Sequence, residues 1–297
     1  MRWRSFLRVS CLRGLGYNHR MGTLFLVATP IGNLEDMSPR AVRILREVLL
    51  IAAEDTRHTR QLLTHFDIHT PLTSYYEHNK LSKLDAVLTA LSQGDVALVS
   101  DAGTPAINDP GYELVKAAID CQHAISPVPG PSAPIAALAA SGLPTDSFLD
   151  LGYLPRKTSE RKALFSQVEH LPYTLIFLES PHRVLDSLTD MQAFLGDREV
   201  AAARELTKVY EQVVRGRISQ VLAHFVETEP RGEFVLIVHG QTTDSYGEAW
   251  SEQELLAAIQ DSLKDGRPAK EIAAELAQKS GWARRVIYKM MLGDRSG

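Results

Sequence analysis

The chain has 297 residues, 44% hydrophobic and 23% charged, a soluble globular composition too long for one ordinary core, so two or three domains are expected. Its formal charge of −4 excludes a polycation, and any nucleic-acid contact has to come from local basic surfaces. No apolar run reaches the roughly 18–20 residues of a membrane span, and Cys11 and Cys121 lack metal-ligand spacing, as in a reducing cytoplasm.

Residues 1–21 hold Arg2, Arg4, Arg8, Arg13 and Arg20 and no acid. The arginines interrupt any secretory-signal core, whereas a transit peptide or a start properly placed at Met21 both fit. This extension is expected to be disordered and to take no part in catalysis. Thr23–Ala28 then reads as the first strand, and Thr29-Pro30-Ile31-Gly32-Asn33-Leu34 as a loop. Ser38-Pro39 predicts a helix start, with serine as cap and proline at the first position; Ala41, Ile44, Leu45 and Val48 follow at helical spacing. Leu49–Ala53 is the second strand. It ends in Glu54-Asp55-Thr56-Arg57-His58-Thr59-Arg60, which is either a capped, solvated helix start or a substrate-facing cluster.

A helix through Leu84, Val87, Leu88 and Leu91 leads to the buried strand Val96–Val99 and then to Ser100-Asp101-Ala102-Gly103-Thr104-Pro105. Open α/β sheets place ligands at the carboxyl ends of such strands. Asp101 supplies an acceptor, Gly103 permits close backbone approach and Pro105 stiffens the turn. The loop suits a cationic, hydroxyl-bearing small molecule better than a polyphosphate. A helix follows Asp109-Pro110-Gly111. A weaker strand, Ala124–Val128, then ends in Pro129-Gly130-Pro131-Ser132-Ala133-Pro134, where Ser132 is placed to cap the next helix and its amides to hold an anionic group. The alternation argues a parallel α/β domain.

A second α/β unit follows: strands at Phe148–Tyr153, Thr174–Leu178, Glu199–Ala203 and Phe234–His239, with Val209–Val214 extended and Arg215-Gly216-Arg217 as a turn. Its end has more antiparallel character. After a polar linker, three helical patterns read as helix-turn-helix grammar. Lys279, Arg284, Arg285 and Lys289 stand in a stretch without acids from 279 to 293, either a solvated face or, as preferred, a nucleic-acid-facing helix. A P-loop, a dinucleotide fingerprint, a zinc-protease helix and a nucleophile elbow are all missing, and no metal is expected.

The motifs at 29–34, 53–59, 100–105 and 129–133, with Glu179-Ser180-Pro181-His182-Arg183 and Ala203-Arg204-Glu205-Leu206-Thr207-Lys208, closely resemble the ribosomal RNA small-subunit methyltransferase I family of the tetrapyrrole-methylase superfamily, over about residues 22–292. The resemblance implies two α/β domains with S-adenosylmethionine in the cleft between them, a homodimer, and 2′-O-methylation of a cytidine ribose in the decoding region of small-subunit ribosomal RNA, naked or as an assembled 30S subunit. It divides the chain into a 1–21 extension, an N-terminal α/β domain 22–128, a C-terminal α/β domain 129–242, and a linker with a helical RNA-binding domain, 243–297. By the same resemblance Pro30, Gly32, Asp101, Ala102, Gly103, Thr104, Ile107, Gly130, Ser132 and Ala133 hold the cofactor, with Leu178, Ala203 and Glu233 added from the second domain. The family usually has an aromatic residue where this chain has Leu178.

Asp55, His58, Glu205 and Lys208 have suitable chemistry for catalysis, and the first candidates are Glu54, Asp55 and His58, with Lys208. A ribose hydroxyl is a poor nucleophile, helped by a base or by a cation that stabilises the developing alkoxide. Arg57, Arg183 and Arg204 are candidates for flanking phosphates, with Arg284, Arg285 and Lys289 for salt-dependent RNA affinity. Two rival readings stay open: a methylase of a tetrapyrrole or other small molecule, and a helix-turn-helix binder with a ligand-sensing α/β body.

Overall fold

The computed structural model describes residues 21–76, 80–241, 250–264, 267–280, 282 and 284–291. Apart from Met21, the predicted disordered extension lies outside the described residues, as does most of the predicted linker. The chain falls into two compact units, one running to Ser166 and including Thr174–Val238, the other comprising Gln167–Tyr173 and the chain from His239.

The first unit opens with strand β1 (Thr23–Val27), helix α1 (Pro39–Glu47), β2 (Leu50–Ala53), α2 (Thr56–His65), β3 (Leu72–Ser74), α3 (Lys80–Leu91), β4 (Val96–Val99), α4 (Tyr112–Asp120) and β5 (Ala124–Val128). Ser38 sits in extended backbone and its hydroxyl accepts from the Ala41 amide at 3.1 Å, so α1 starts where its cap and proline predict. The five strands form one parallel sheet in the order β3-β2-β4-β1-β5. All of β4 is buried, because helices cover both faces. Val27, Ile44, Leu45, Ile51 and Leu63 pack on one side, and Leu24, Leu84, Leu88, Leu98 and Leu114 on the other.

The unit continues with α5 (Ala133–Ser141), β6 (Phe148–Tyr153), α6 (Thr158–Val168), β7 (Thr174–Glu179), α7 (Val184–Leu195), β8 (Glu199–Arg204), β9 (Gln212–Arg217), α8 (Ile218–Glu227) and β10 (Phe234–Val238). Their sheet has the order β6-β7-β10-β8-β9 and is antiparallel except for the β6–β7 pair. Ala137 and Leu138 of α5 pack on Ile176, Ala201, Ala203, Val235 and Ile237. Edge-to-face pairs Phe165–Phe177 and Phe225–Phe234 fill further core space.

Two local readings change. Arg215-Gly216-Arg217 is not a turn but the end of β9, paired with β8 from Arg204↔Gln212 to Glu199↔Arg217. Arg215 reaches the Ala140 and Ser141 carbonyls, placing positive charge at the carboxyl end of α5. The three-residue β3, too short for a periodic signal, is an additional edge strand.

In the second unit α9 (Glu252–Lys264), α10 (Ala269–Ser280) and α11 (Arg284–Met291) enclose Leu255, Ile259, Ile272, Ala273, Leu276 and Ile287. Ser251 and Glu254 form a reciprocal capping box at the start of α9. The Trp282 indole N–H donates to the Trp250 carbonyl at 2.6 Å.

One buried ion pair stands apart from the apolar cores: Arg161 of α6 donates through Nε to Asp190 of α7 at 2.8 Å, with both side chains largely buried. Removing one partner leaves an uncompensated charge. Asp190→Ala is therefore expected to cost about 3 kcal/mol in urea unfolding, and a change within experimental error would show that Arg161 reaches water instead.

Candidate functional site

Because the first sheet is parallel, the carboxyl ends of β1, β2, β4 and β5 share one edge. Backbone hydrogen bonds join the loops that leave them. Thr29 and Gly103 exchange N–H···O bonds of 2.9 and 3.0 Å, and Gly103 adopts a left-handed φ of 83°. The Thr29 hydroxyl donates to the Ser100 carbonyl and the Thr104 hydroxyl to the Pro131 carbonyl. The Asp55 amide donates to Asp101 Oδ1 at 2.9 Å.

The second sheet supplies the facing wall. A Cβ on Gly32 would stand 2.5 Å from Lys208 Cγ and 2.9 Å from the Leu206 carbonyl, so only glycine lets the loop after β1 lie against the loop after β8. Asn108 donates to Asp150 at 3.1 Å. Between Asp150 and Tyr153 β6 carries one extra residue relative to β7, which brings Tyr153 opposite Leu178. Such a bulge re-aims the side chain that follows it. An aromatic ring thus stands across the ladder from position 178, rather than at it. Ala106, Asn108, Glu205 and Thr207 take positive φ without being glycine. Each such residue costs roughly 1–2 kcal/mol, and all four lie in the two loops that face each other here.

The enclosed cavity has a volume of about 290 Å³. Its lining includes Asp101, Ala102, Gly103, Thr104, Ile107, Ser132, Ala133, Leu178, Ala203 and Glu233 among the expected cofactor residues, and Glu54 and Lys208 among the expected catalytic ones. Pro30, Gly32 and Gly130 are outside the lining; a Cβ at Gly130 would meet Ala28 Cβ at 3.0 Å, so that glycine serves close loop packing. Ser132 precedes α5 without a side-chain capping bond and lines the cavity. Ile31, inside the expected Pro30–Gly32 loop, also lines the cavity, as do Asn108, Asp109, Tyr153, Glu179 and Phe234, which were not among the sequence candidates. Asp109 looked only like a helix start, and Tyr153 needs the bulge to face inward.

The remaining candidates lie outside this lining. Asp55 caps α2 through the Arg57 amide, and its carboxylate is held by the Arg57 guanidinium, which keeps it at about 2. His58 and Arg57 are exposed on α2. Arg183 bonds Glu179, Ser180 and the Leu154 carbonyl. Arg204 bonds Gln212 and the Arg231 carbonyl. In the second unit Lys289 is exposed on α11, whose first two residues are Arg284 and Arg285.

The cavity is strongly acidic. Glu54, Asp101, Asp109, Glu179, Glu205 and Glu233 line it, against Lys208 as the one basic side chain of the lining. Lys208 pairs with Glu205 at 2.9 Å and Arg183 with Glu179 at 2.6 Å. Burial, then the charges of Asp109 and Asp101, push Glu54 up to about 7. Burial also raises Asp109 to about 6, opposed by a hydrogen bond from Ser100. The Tyr153 phenol is raised by burial and by Glu233, Asp109, Glu54 and Glu179. Such a field attracts a cation and repels a polyphosphate.

The Tetrapyrrole (Corrin/Porphyrin) Methylases family matches residues 23–222. A curated relative from Synechocystis sp., named ribosomal RNA small subunit methyltransferase I, is 46% identical over 274 residues, covering 92% of this chain and 98% of the relative. The chain belongs to this family of methylases. A relative of the same name from Halalkalibacterium halodurans is 46% identical, covering 91% of this chain and 94% of its own. Among solved structures the tetrapyrrole-methylase fold recurs in cobalt precorrin-4 methyltransferase, a cobalamin biosynthetic enzyme, with a TM-score of 0.54 over 75% of this chain and 98% of that one. At 16% identity that likeness speaks for the fold alone. As a member of this family the chain is a methyltransferase and requires a methyl donor, and the acidic cavity offers room and charge for one.

Ionised Glu54 is costly in this setting. Its folded value is raised from 4.5 to about 7, so the cost is full above about pH 7 and fades as the pH falls toward the unfolded value. Glu54→Gln is expected to raise Tm at pH 8 by a few degrees and to raise it much less at pH 5, checked by calorimetry at both. Equal shifts at the two pH values would contradict the assignment.

Proposed function

We propose that the protein transfers a methyl group from S-adenosylmethionine to the ribose 2′-hydroxyl of a cytidine in the decoding region of small-subunit ribosomal RNA. The observation that carries this reading is the 46% identity with curated ribosomal RNA small subunit methyltransferase I proteins along nearly their whole length. The 290 Å³ acidic cavity is chemically compatible with it. In this reading the protein acts in the cytoplasm, as a homodimer, on ribosomal RNA or an assembled 30S subunit. Among the described residues no helix is long and apolar enough to cross a membrane.

The donor supplies a methyl group activated on a positively charged sulfur. Asp101 and the 102–107 backbone hold it from the first sheet, with Ser132 and Ala133. Leu178, Ala203 and Glu233 close the opposite wall. The preformed loops do the positioning on which an in-line displacement depends. Lys208, at the cavity margin, stabilises oxyanion character on the attacking hydroxyl, while its pairing with Glu205 keeps it in place. The target nucleotide leaves its stack to reach the cavity. The helical segment 250–291, with Arg284, Arg285 and Lys289, supplies phosphate affinity.

A small-molecule methylase is the competing reading, and the acid-free stretch from 279 to 293 favours RNA over it. Mass mapping of small-subunit RNA from cells lacking the protein should show one ribose methyl missing. Wild type should restore it and Asp101→Ala should not. In titrations Asp101→Ala should weaken donor affinity at least about tenfold, the loss of a charge-assisted contact; unchanged affinity with a pure rate loss would contradict its assigned role. Arg284→Glu with Lys289→Glu should weaken RNA binding and flatten its salt dependence by about one unit of slope per lost phosphate contact. Unaltered salt dependence would remove those residues from the interface.

A further inference from the structure

Resting on the methyltransferase reading, we propose that Glu54 discriminates donor from spent product by exchanging a proton for the sulfonium charge: it gives up its proton when the cationic donor occupies the cavity and keeps the protonation of the empty cavity when the neutral thioether does. The geometry singles it out. Glu54 directly follows β2 and lines the cavity beside Asp101 and Asp109. Two other acids of the lining carry their own cations, Glu179 through Arg183 and Glu205 through Lys208. No ion pair among the described residues involves Glu54. The Asp101 backbone favours its ionised form, while burial and the charges of Asp109, Asp101 and Asp55 oppose it.

The charged groups around it act in one direction. From its own loop comes Asp55, whose charge is largely answered by Arg57. From the loop after β4 come Asp101 and Asp109. The second sheet adds Glu179, Glu233 and Tyr153 to the same lining, and the Tyr153 phenol is raised by burial and by Glu233, Asp109, Glu54 and Glu179. Lys208, the cation of the lining, is paired with Glu205. An empty cavity therefore lacks a positive charge for Glu54 to answer, and a bound sulfonium supplies it. The raised proton affinity of Glu54, close to 7, places the exchange in the physiological range.

Donor and product share their adenosine and amino-acid parts and differ in the methyl group and one positive charge. The ratio of their affinities thus isolates the response to the sulfonium, cancelling any titration of the shared groups. If the cation binds only the ionised form, its affinity rises with pH until Glu54 is fully ionised. Between pH 6 and 8 the rise is at most about tenfold for a group titrating near 7.

The test is calorimetry on the full chain with S-adenosylmethionine and S-adenosylhomocysteine. Titrations at pH 6, 7 and 8, in two buffers of different ionisation enthalpy, give affinities and proton counts. At pH 7 the donor should release about half a proton and the product none. The donor-over-product preference should rise about tenfold from pH 6 to pH 8 in wild type and stay flat in Glu54→Gln. Asp109→Asn, which removes a repelling charge, should move the midpoint of the rise to lower pH. This second variant keeps the proposal testable if Glu54→Gln fails to fold. A pH-independent preference in wild type, or a pH-dependent one that survives in Glu54→Gln, overturns the proposal. Binding of neither ligand by folded wild type overturns the S-adenosylmethionine reading instead, and the proposal with it.

Discussion

Two backbone hydrogen bonds between Thr29 and Gly103 hold together the part of the molecule on which everything else depends. Loops leaving parallel strands have no reason to stay close once the ladder ends. Here the loops after β1 and β4 meet again in an isolated antiparallel bridge beyond the parallel ladder. Thr104 then fastens the loop before α5 through the Pro131 carbonyl, and Asp101 fastens the start of α2 through the Asp55 amide. Each contact satisfies backbone groups that would otherwise need water, with Thr104 and Asp101 adding one side-chain bond each.

Glycines and left-handed residues are the other half of that construction. Gly32 admits the 206–208 backbone to a distance that a methyl group would forbid. Thr207 and Glu205, in a backbone region unfavourable for side-chain-bearing residues, stay there because Gly232 and Gly32 leave their side chains space. Strain of this kind persists where the surroundings over-determine the chain, and it is concentrated at the cavity wall. The apolar cores of the two sheets supply the stability that tolerates it.

Electrostatics then gives the cavity its character. Folding gathers carboxylates that are distant in sequence and neutralises only some of them. Arg183 and Arg204 turn inward to structural partners, and Arg57 is taken up by Asp55. What remains around Glu54 is negative charge without a counterion of its own, which disfavours ionisation in the empty protein and rewards a cationic ligand. A phosphate-rich substrate must then find its positive surface elsewhere than in this cavity.

The sequence by itself determined the strands, the caps and the loops. A buried run such as Val96–Val99, the Ser38-Pro39 start and the Gly103 turn are local choices, set by burial pattern and backbone freedom within a few residues. The order of the motifs also disclosed the family, since each loop carries its own chemistry. Only the tertiary structure decided which side chains share the cavity. Asp109 and Tyr153 entered it because of a cross-sheet packing and a one-residue bulge, and Asp55 and Arg183 were drawn into caps and ion pairs that their residue types equally allow. Whether a carboxylate meets a cation, an amide or another carboxylate depends on elements many residues away, and that meeting sets its charge.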